Sequence, residues 1–148
     1  MRKFTYLPLL LVFILLSCSK GNKYSAFQEF NQEVWNRFEN PVLEFNISEP
    51  GIYYDMFLQV NYNPSVKPEN FKITVIMTTP SGEVRSRDID LDFSKGVDSG
   101  DHSELKVLLR RDYAFSDQGK CIFEIENRSS EVNIGGIKSI GIYLEKAQ

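Results

Sequence analysis

Between Ile52 and Tyr62 the chain alternates without a break. Ile52, Tyr54, Met56, Leu58, Val60 and Tyr62 are apolar, and Tyr53, Asp55, Phe57, Gln59 and Asn61 stand between them. Only an extended strand puts every second side chain on one face, so this run commits the chain to a sheet with one buried and one wet face. The same period recurs in Leu43, Phe45 and Ile47, in Phe71 through Met77, in Ile89, Leu91 and Phe93, and in Leu105, Val107 and Leu109. It returns in Cys121, Phe123 and Ile125 and in Ile140, Ile142 and Leu144. Buried parallel strands would read as continuous apolar runs. The pattern therefore predicts an all-β fold, an antiparallel β-sandwich of immunoglobulin-like or jelly-roll-like type with about seven to nine strands.

Turn residues punctuate the strands. Glu49-Pro50-Gly51 stops one, Asn63-Pro64 through Pro68-Glu69-Asn70 reads as a loop, and Thr79-Pro80-Ser81-Gly82-Glu83 suits a hairpin turn. Arg110-Arg111-Asp112 ends the strand before it, and Gly135-Gly136 marks the entry to the last strand or a bulge in it. The segment from Tyr24 to Phe38 supports two readings. Tyr24, Phe27, Val34 and Phe38 approximate a helical stripe, with Ser25 and Gln28 spaced as a capping box, while a strand over Tyr24–Phe30 fits the β character of the rest and is preferred.

The amino terminus carries an address. Arg2 and Lys3 precede an apolar run from Leu7 to Leu16, and Leu15-Leu16-Ser17-Cys18 closes it. That run is about a dozen residues against the roughly 20 needed to cross a bilayer, so it reads as a cleaved leader. Residues 1–17 are expected to be a lipoprotein signal peptide, with Cys18 as the acylated first residue of the mature chain. Residues 18–23 then form a lipidated tether reaching roughly 17 Å when extended, followed by one domain over residues 24–148. The leader takes two of the 17 basic residues and none of the 20 acidic ones, leaving a net charge of about −5. An acidic domain argues against nucleic acid. Cys121, among Lys120, Ile122 and Phe123, reads as a core filler, and with Cys18 acylated no internal disulfide is available.

Residues that could carry chemistry are sparse. There is no Gly-x-Ser-x-Gly elbow, no His-Glu-x-x-His, no phosphate-binding glycine loop and no Cys-x-x-Cys. His102 lies in a solvated loop. Asp88, Asp90 and Asp92 mimic the opening of a calcium loop, but Phe93 stands where glycine is required and Ser99 where a glutamate is required, so they read as the charged outer face of a strand. Neither an enzyme, a cofactor nor a metal site is expected. The surface that stands out is the polar face of the long strand, where Tyr53 and Phe57 alternate with Asp55, Gln59 and Asn61. Three readings apply: the face is covered by the Tyr24–Phe38 segment with Trp35 packed over it, it anchors a protein interface together with Trp35, or it is a platform for a glycan.

The ending Phe115-x-x-x-Gly119-x-x-x-Phe123-Glu124-Ile125 and Ile140-Gly141-Ile142-x-Leu144-Glu145-Lys146, with Tyr24, Trp35, Leu43, Phe45, Phe71, Pro80 and Gly82 before it, resembles the gliding-motility lipoprotein H family of Bacteroidota. The resemblance implies a lipid-anchored outer-membrane protein of the gliding and type IX secretion machinery, without enzymatic activity and working in an envelope protein complex. Ser19-Lys20-Gly21-Asn22 lacks the acidic residues associated with surface export in that phylum, which implies the periplasmic face. The alternative is a glycan-binding lipoprotein of a polysaccharide-uptake system.

Overall fold

A computed structural model describes residues 24–148. The leader, Cys18 and the tether lie outside the described residues. Ten strands form two antiparallel sheets: β1 Tyr24–Glu29, β2 Val34–Asn36, β3 Val42–Ile47, β4 Tyr53–Lys67, β5 Asn70–Thr78, β6 Val84–Asp92, β7 Val97–Asp98, β8 Ser103–Ala114, β9 Gly119–Asn127 and β10 Asn133–Lys146. One sheet runs β1-β10-β4-β8-β7, with β2 also paired to β10, and the other runs β3-β9-β5-β6. The chain changes sheet at nearly every connection between the longer strands, which is the order of a jelly roll. The expected all-β sandwich is the observed architecture, and the count exceeds the expected range because β2 and β7 are only three and two residues long.

The alternation in the sequence is the alternation of burial. Tyr54, Met56, Leu58, Val60 and Tyr62 on β4 are buried against Leu43, Phe45, Ile73, Val75, Phe123 and Ile125 of the facing sheet. Aromatic rings close both ends of this core. Tyr24, Phe45, Tyr54 and Phe115 meet at one end, and Phe30, Trp35, Phe71, Phe93 and Tyr62 at the other, with centroid separations of 4.7 to 6.4 Å that suit edge and offset packing.

Three sequence expectations need correction. The Tyr24–Phe38 segment does not lie over the sheet. Tyr24–Glu29 extends it as an edge strand paired to β10, Asn31–Glu33 forms a single helical turn, and β2 rejoins β10. The stretch from Asn63 to Lys67 is strand and not loop. Past Tyr62 the ladder with β8 has ended, and the register with β10 shifts between Ile137 and Gly135, so Pro64 sits where a missing N–H is tolerated. Arg110-Arg111-Asp112 does not end β8 either. The strand kinks there, with Asp112 at φ 50°, and resumes because the Asp55 carboxylate accepts the Asp112 N–H at 3.0 Å in place of a ladder partner.

The two long sides of the sandwich differ. Where β1 meets β3, the Tyr24 hydroxyl lies 3.1 Å from Ser48 Oγ and accepts the Ser48 N–H, and the core is closed. On the opposite side the bordering strands are β6 and the far half of β8, and the sheets stand apart.

Candidate functional site

The outer face of the six-stranded sheet is built from rows of residues in register. Phe27, Gly141, Gln59 and Lys106 form one row across β1, β10, β4 and β8. Ser25, Tyr143, Phe57 and Leu108 form the next, and Glu29, Ser139, Asn61 and Glu104 a third. Outward positions on strands recur every second residue, so each row is one pleat from the last.

The rows divide into an aromatic half and a polar half. The rings of Phe57 and Tyr143 stack with centroids 5.1 Å apart and planes 15° from parallel. Gly141 lacks a side chain, and the Phe27 ring occupies that space: a Cβ at Gly141 would lie 2.2 Å from a Phe27 ring carbon. Tyr53 and Phe27 stay 59% and 42% exposed, so apolar rings are presented to solvent on an otherwise wet face. In the polar half Gln59 Nε2 donates to Asn61 Oδ1 at 3.0 Å and to Glu104 Oε2 at 2.9 Å, and Asn61 Nδ2 donates to Ser139 Oγ at 2.9 Å. Lys106 pairs with Glu104 at 3.0 Å and lies 5.9 Å from the Tyr143 ring centroid. The Glu104 carboxylate raises the Lys106 pKa, and burial raises that of the Tyr143 hydroxyl.

Of the residues singled out in the sequence, Tyr53, Asp55, Phe57, Gln59 and Asn61 lie together on this face. Trp35 does not join them. It is buried in the core, stacked on Phe30 at 5.3 Å and edge-on to Phe71 at 5.9 Å, with Nε1 donating to the Glu39 carbonyl at 2.8 Å, so no partner can reach it. Sequence reasoning missed Phe27, Tyr143 and Lys106, which reach the face from other strands. Asp88, Asp90 and Asp92 point outward on β6 and take separate partners: Asp88 accepts from Thr74 at 2.7 Å, Asp90 lies 3.9 Å from Lys72, and Asp92 accepts the Ser94 N–H at 3.2 Å. Cys121 is fully buried, and burial pushes its thiol up to about 12. His102 borders a shallow surface hollow with Glu33 and Lys138.

Fold and face together define a jelly-roll β-sandwich whose most elaborated surface is a flat sheet face with apolar rings set among paired polar groups. Residues 22–144 match the family described as GldH lipoprotein, and the chain belongs to that family. It is 22% identical over 149 residues to a protein named gliding motility lipoprotein GldH homolog from Christiangramia forsetii, covering 92% of this chain and 91% of that one. Among solved structures it is similar to TmCBM61 in complex with beta-1,4-galactotriose, at 12% identity and a TM-score of 0.36, over 86% of this chain and 92% of that one.

Proposed function

We propose that this chain is a lipid-anchored, non-catalytic component of a gliding-motility and type IX secretion assembly. In this reading residues 1–17 are removed, Cys18 carries the lipid on the periplasmic side of the outer membrane, and residues 18–23 tether a single domain close to the bilayer. The domain docks an envelope protein through the Tyr53, Asp55, Phe57 and Gln59 face. The observation that carries the docking surface is the Phe57–Tyr143 stack beside exposed Tyr53 and Phe27. Rings held parallel by stacking make low-entropy anchors for a protein interface, and the Gln59–Asn61–Glu104 network beside them supplies a polar rim. Phe57 and Tyr143 each give one ring face to the other, which leaves less free ring surface for a sugar to stack on and favours a protein partner. Membership of the GldH lipoprotein family and the name of the Christiangramia forsetii relative support the motility setting.

The test is photocrosslinking in cells with a reactive analogue placed at Tyr53 or Phe57. A discrete adduct with one envelope protein, lost in a Tyr53→Ala/Phe57→Ala variant that also stops gliding, is expected. Recovery of oligosaccharide binding lost at the same residues, with no protein adduct, would replace the proposal with the glycan reading. Mass spectrometry of the mature chain tests the anchor: an unmodified Cys18 would remove it.

A further inference from the structure

Two arginines of β6 occupy registers that the alternation assigns to the core, and a register shift in β8 brings a third to the same side. On β6, Arg85 stands opposite Met77 and Arg87 opposite Val75, and on β8 Arg110 stands opposite Met56. β7 pairs only with Ser103 and Glu104, so the far half of β8 is a sheet edge, as β6 is of the other sheet. The three side chains therefore meet across the open side of the sandwich. Between them lies a cavity of about 270 Å³ whose apolar lining includes Met56, Met77, Val75 and Phe123.

The charges around it do not balance. Arg85 pairs with Glu83 at 2.7 Å. Arg87 donates to the backbone carbonyls of Leu108 and Leu109, and Arg110 lies over the Tyr113 ring at 5.1 Å. Among the described residues neither Arg87 nor Arg110 has a carboxylate partner. Inward charges on edge strands also discourage pairing with another sheet. That role needs no apolar hollow behind it and no matching arginine on the facing edge.

We propose that this cavity binds a small amphipathic carboxylate of the medium-chain fatty acid class, its chain lying among Met56, Met77, Val75 and Phe123 and its head among Arg85, Arg87 and Arg110. The guanidinium fork matches a carboxylate in two parallel hydrogen bonds. Two unbranched methionines adapt to a flexible chain. A cavity of about 150 Å³ takes a benzene ring, and drug-sized ligands occupy roughly 300 Å³ or more. At about 270 Å³ the hollow takes one short chain and not a two-chain lipid. The site lies between the sheets, away from the outer face proposed to dock a partner, so either proposal can fail without the other.

Met56 and Met77 are the methionines of the sequence after Met1, so methyl-labelled methionine in the mature chain reads the cavity directly. Titration with decanoate below its micelle concentration is expected to shift the Met56 and Met77 signals to saturation. Decanol, with the same chain and no charge, is expected to bind at least tenfold more weakly, since a hydrogen bond to a charged group is worth about 10- to 100-fold. Arg110→Gln breaks no ion pair and should weaken decanoate by about the same 10- to 100-fold at an unchanged melting temperature. Met77→Phe, which fills the hollow and keeps the arginines, should abolish the Met56 shift. The proposal is overturned by the absence of a saturable shift, by equal binding of decanol, or by decanoate binding that survives Met77→Phe or a folded Arg110→Gln.

Discussion

The Phe57 ring lies on the Tyr143 ring, centroids 5.1 Å apart, across a β4–β10 pair in direct register. Cross-strand aromatic pairs contribute about 0.5–1.5 kcal/mol beyond the area they bury. Tyr53, at the end of the same face and 59% exposed, stacks on no ring among the described residues. The two rings should separate in their effects. Tyr53→Ala is expected to change stability by no more than about 0.5 kcal/mol, while Phe57→Ala costs about 1–2 kcal/mol. Urea melts measure both. If the face docks a partner, both variants lose the crosslinked adduct even though only one is destabilised; an adduct that tracks stability alone would reduce the face to a structural one.

Trp35 carries the largest expected loss. It is fully buried between Phe30 and Phe71, and its Nε1–H satisfies the Glu39 carbonyl. Trp35→Ala is expected to cost about 3–5 kcal/mol. Trp35→Phe keeps most of the ring packing and leaves one carbonyl without its donor, and should cost less, about 1–3 kcal/mol. Equal losses in the two variants would mean that packing contributes little there.

What the sequence made legible follows from its period. A strand with one buried face announces itself, and β3, β5, β6, β9 and the central parts of β4 and β10 are where the alternation places them. The site was legible only along β4, because a row across a sheet joins residues far apart in the chain: Asn61 bonds Ser139 across 78 residues. Trp35 misled for a local reason. Gln32 and Glu33 both take positive φ, which switches the inward phase from even residues, ending at Phe30, to odd ones, so Trp35 turns into the core. Arg110-Arg111-Asp112 read as a stop because a ladder substitute such as the Asp55 carboxylate has no signature in its neighbours. Arg85 and Arg87 sit on inward registers of a strand that otherwise alternates well, and that was a visible signal of the open side.

Two glycines separate a rigid contact from a yielding one. A Cβ at Gly96 would lie 1.8 Å from the Tyr62 hydroxyl, which is buried and donates to the Phe93 carbonyl at 2.8 Å. Gly96→Ala must displace that bond and is expected to cost about 2–3 kcal/mol. At Gly141 the obstacle is the Phe27 ring, 42% exposed and free to swing outward. Alanine is favoured over glycine within a strand by about 0.5–1 kcal/mol, so Gly141→Ala should be close to neutral. Thermal melts of the two variants check the contrast, and a larger loss at Gly141 than at Gly96 would reverse it.

Cys121 links burial to pH. Its thiol, near 9 when solvated, is pushed up to about 12 by burial. Between those values the unfolded chain releases the proton and the folded chain keeps it. Stability from this group is therefore complete below about pH 9 and falls as pH rises toward about 12, by at most roughly 1.4 kcal/mol per pH unit. Tyr54, raised by burial from 10.0 to about 12, falls in the same direction but begins higher, so the interval from about pH 9 to 10 belongs to the thiol. Cys121→Ala removes one sulfur from the core and lowers stability at every pH, but it should flatten the slope in that interval. The comparison is between slopes, from urea melts at several pH values, and not between midpoints. The same burial makes the folded protein's Cys121 inert to iodoacetamide and reactive only after unfolding, because the thiolate is the nucleophile. Alkylation of Cys121 in the folded chain at neutral pH, read by mass of its peptide, together with an unchanged slope in the alanine variant, would place the thiol outside the core.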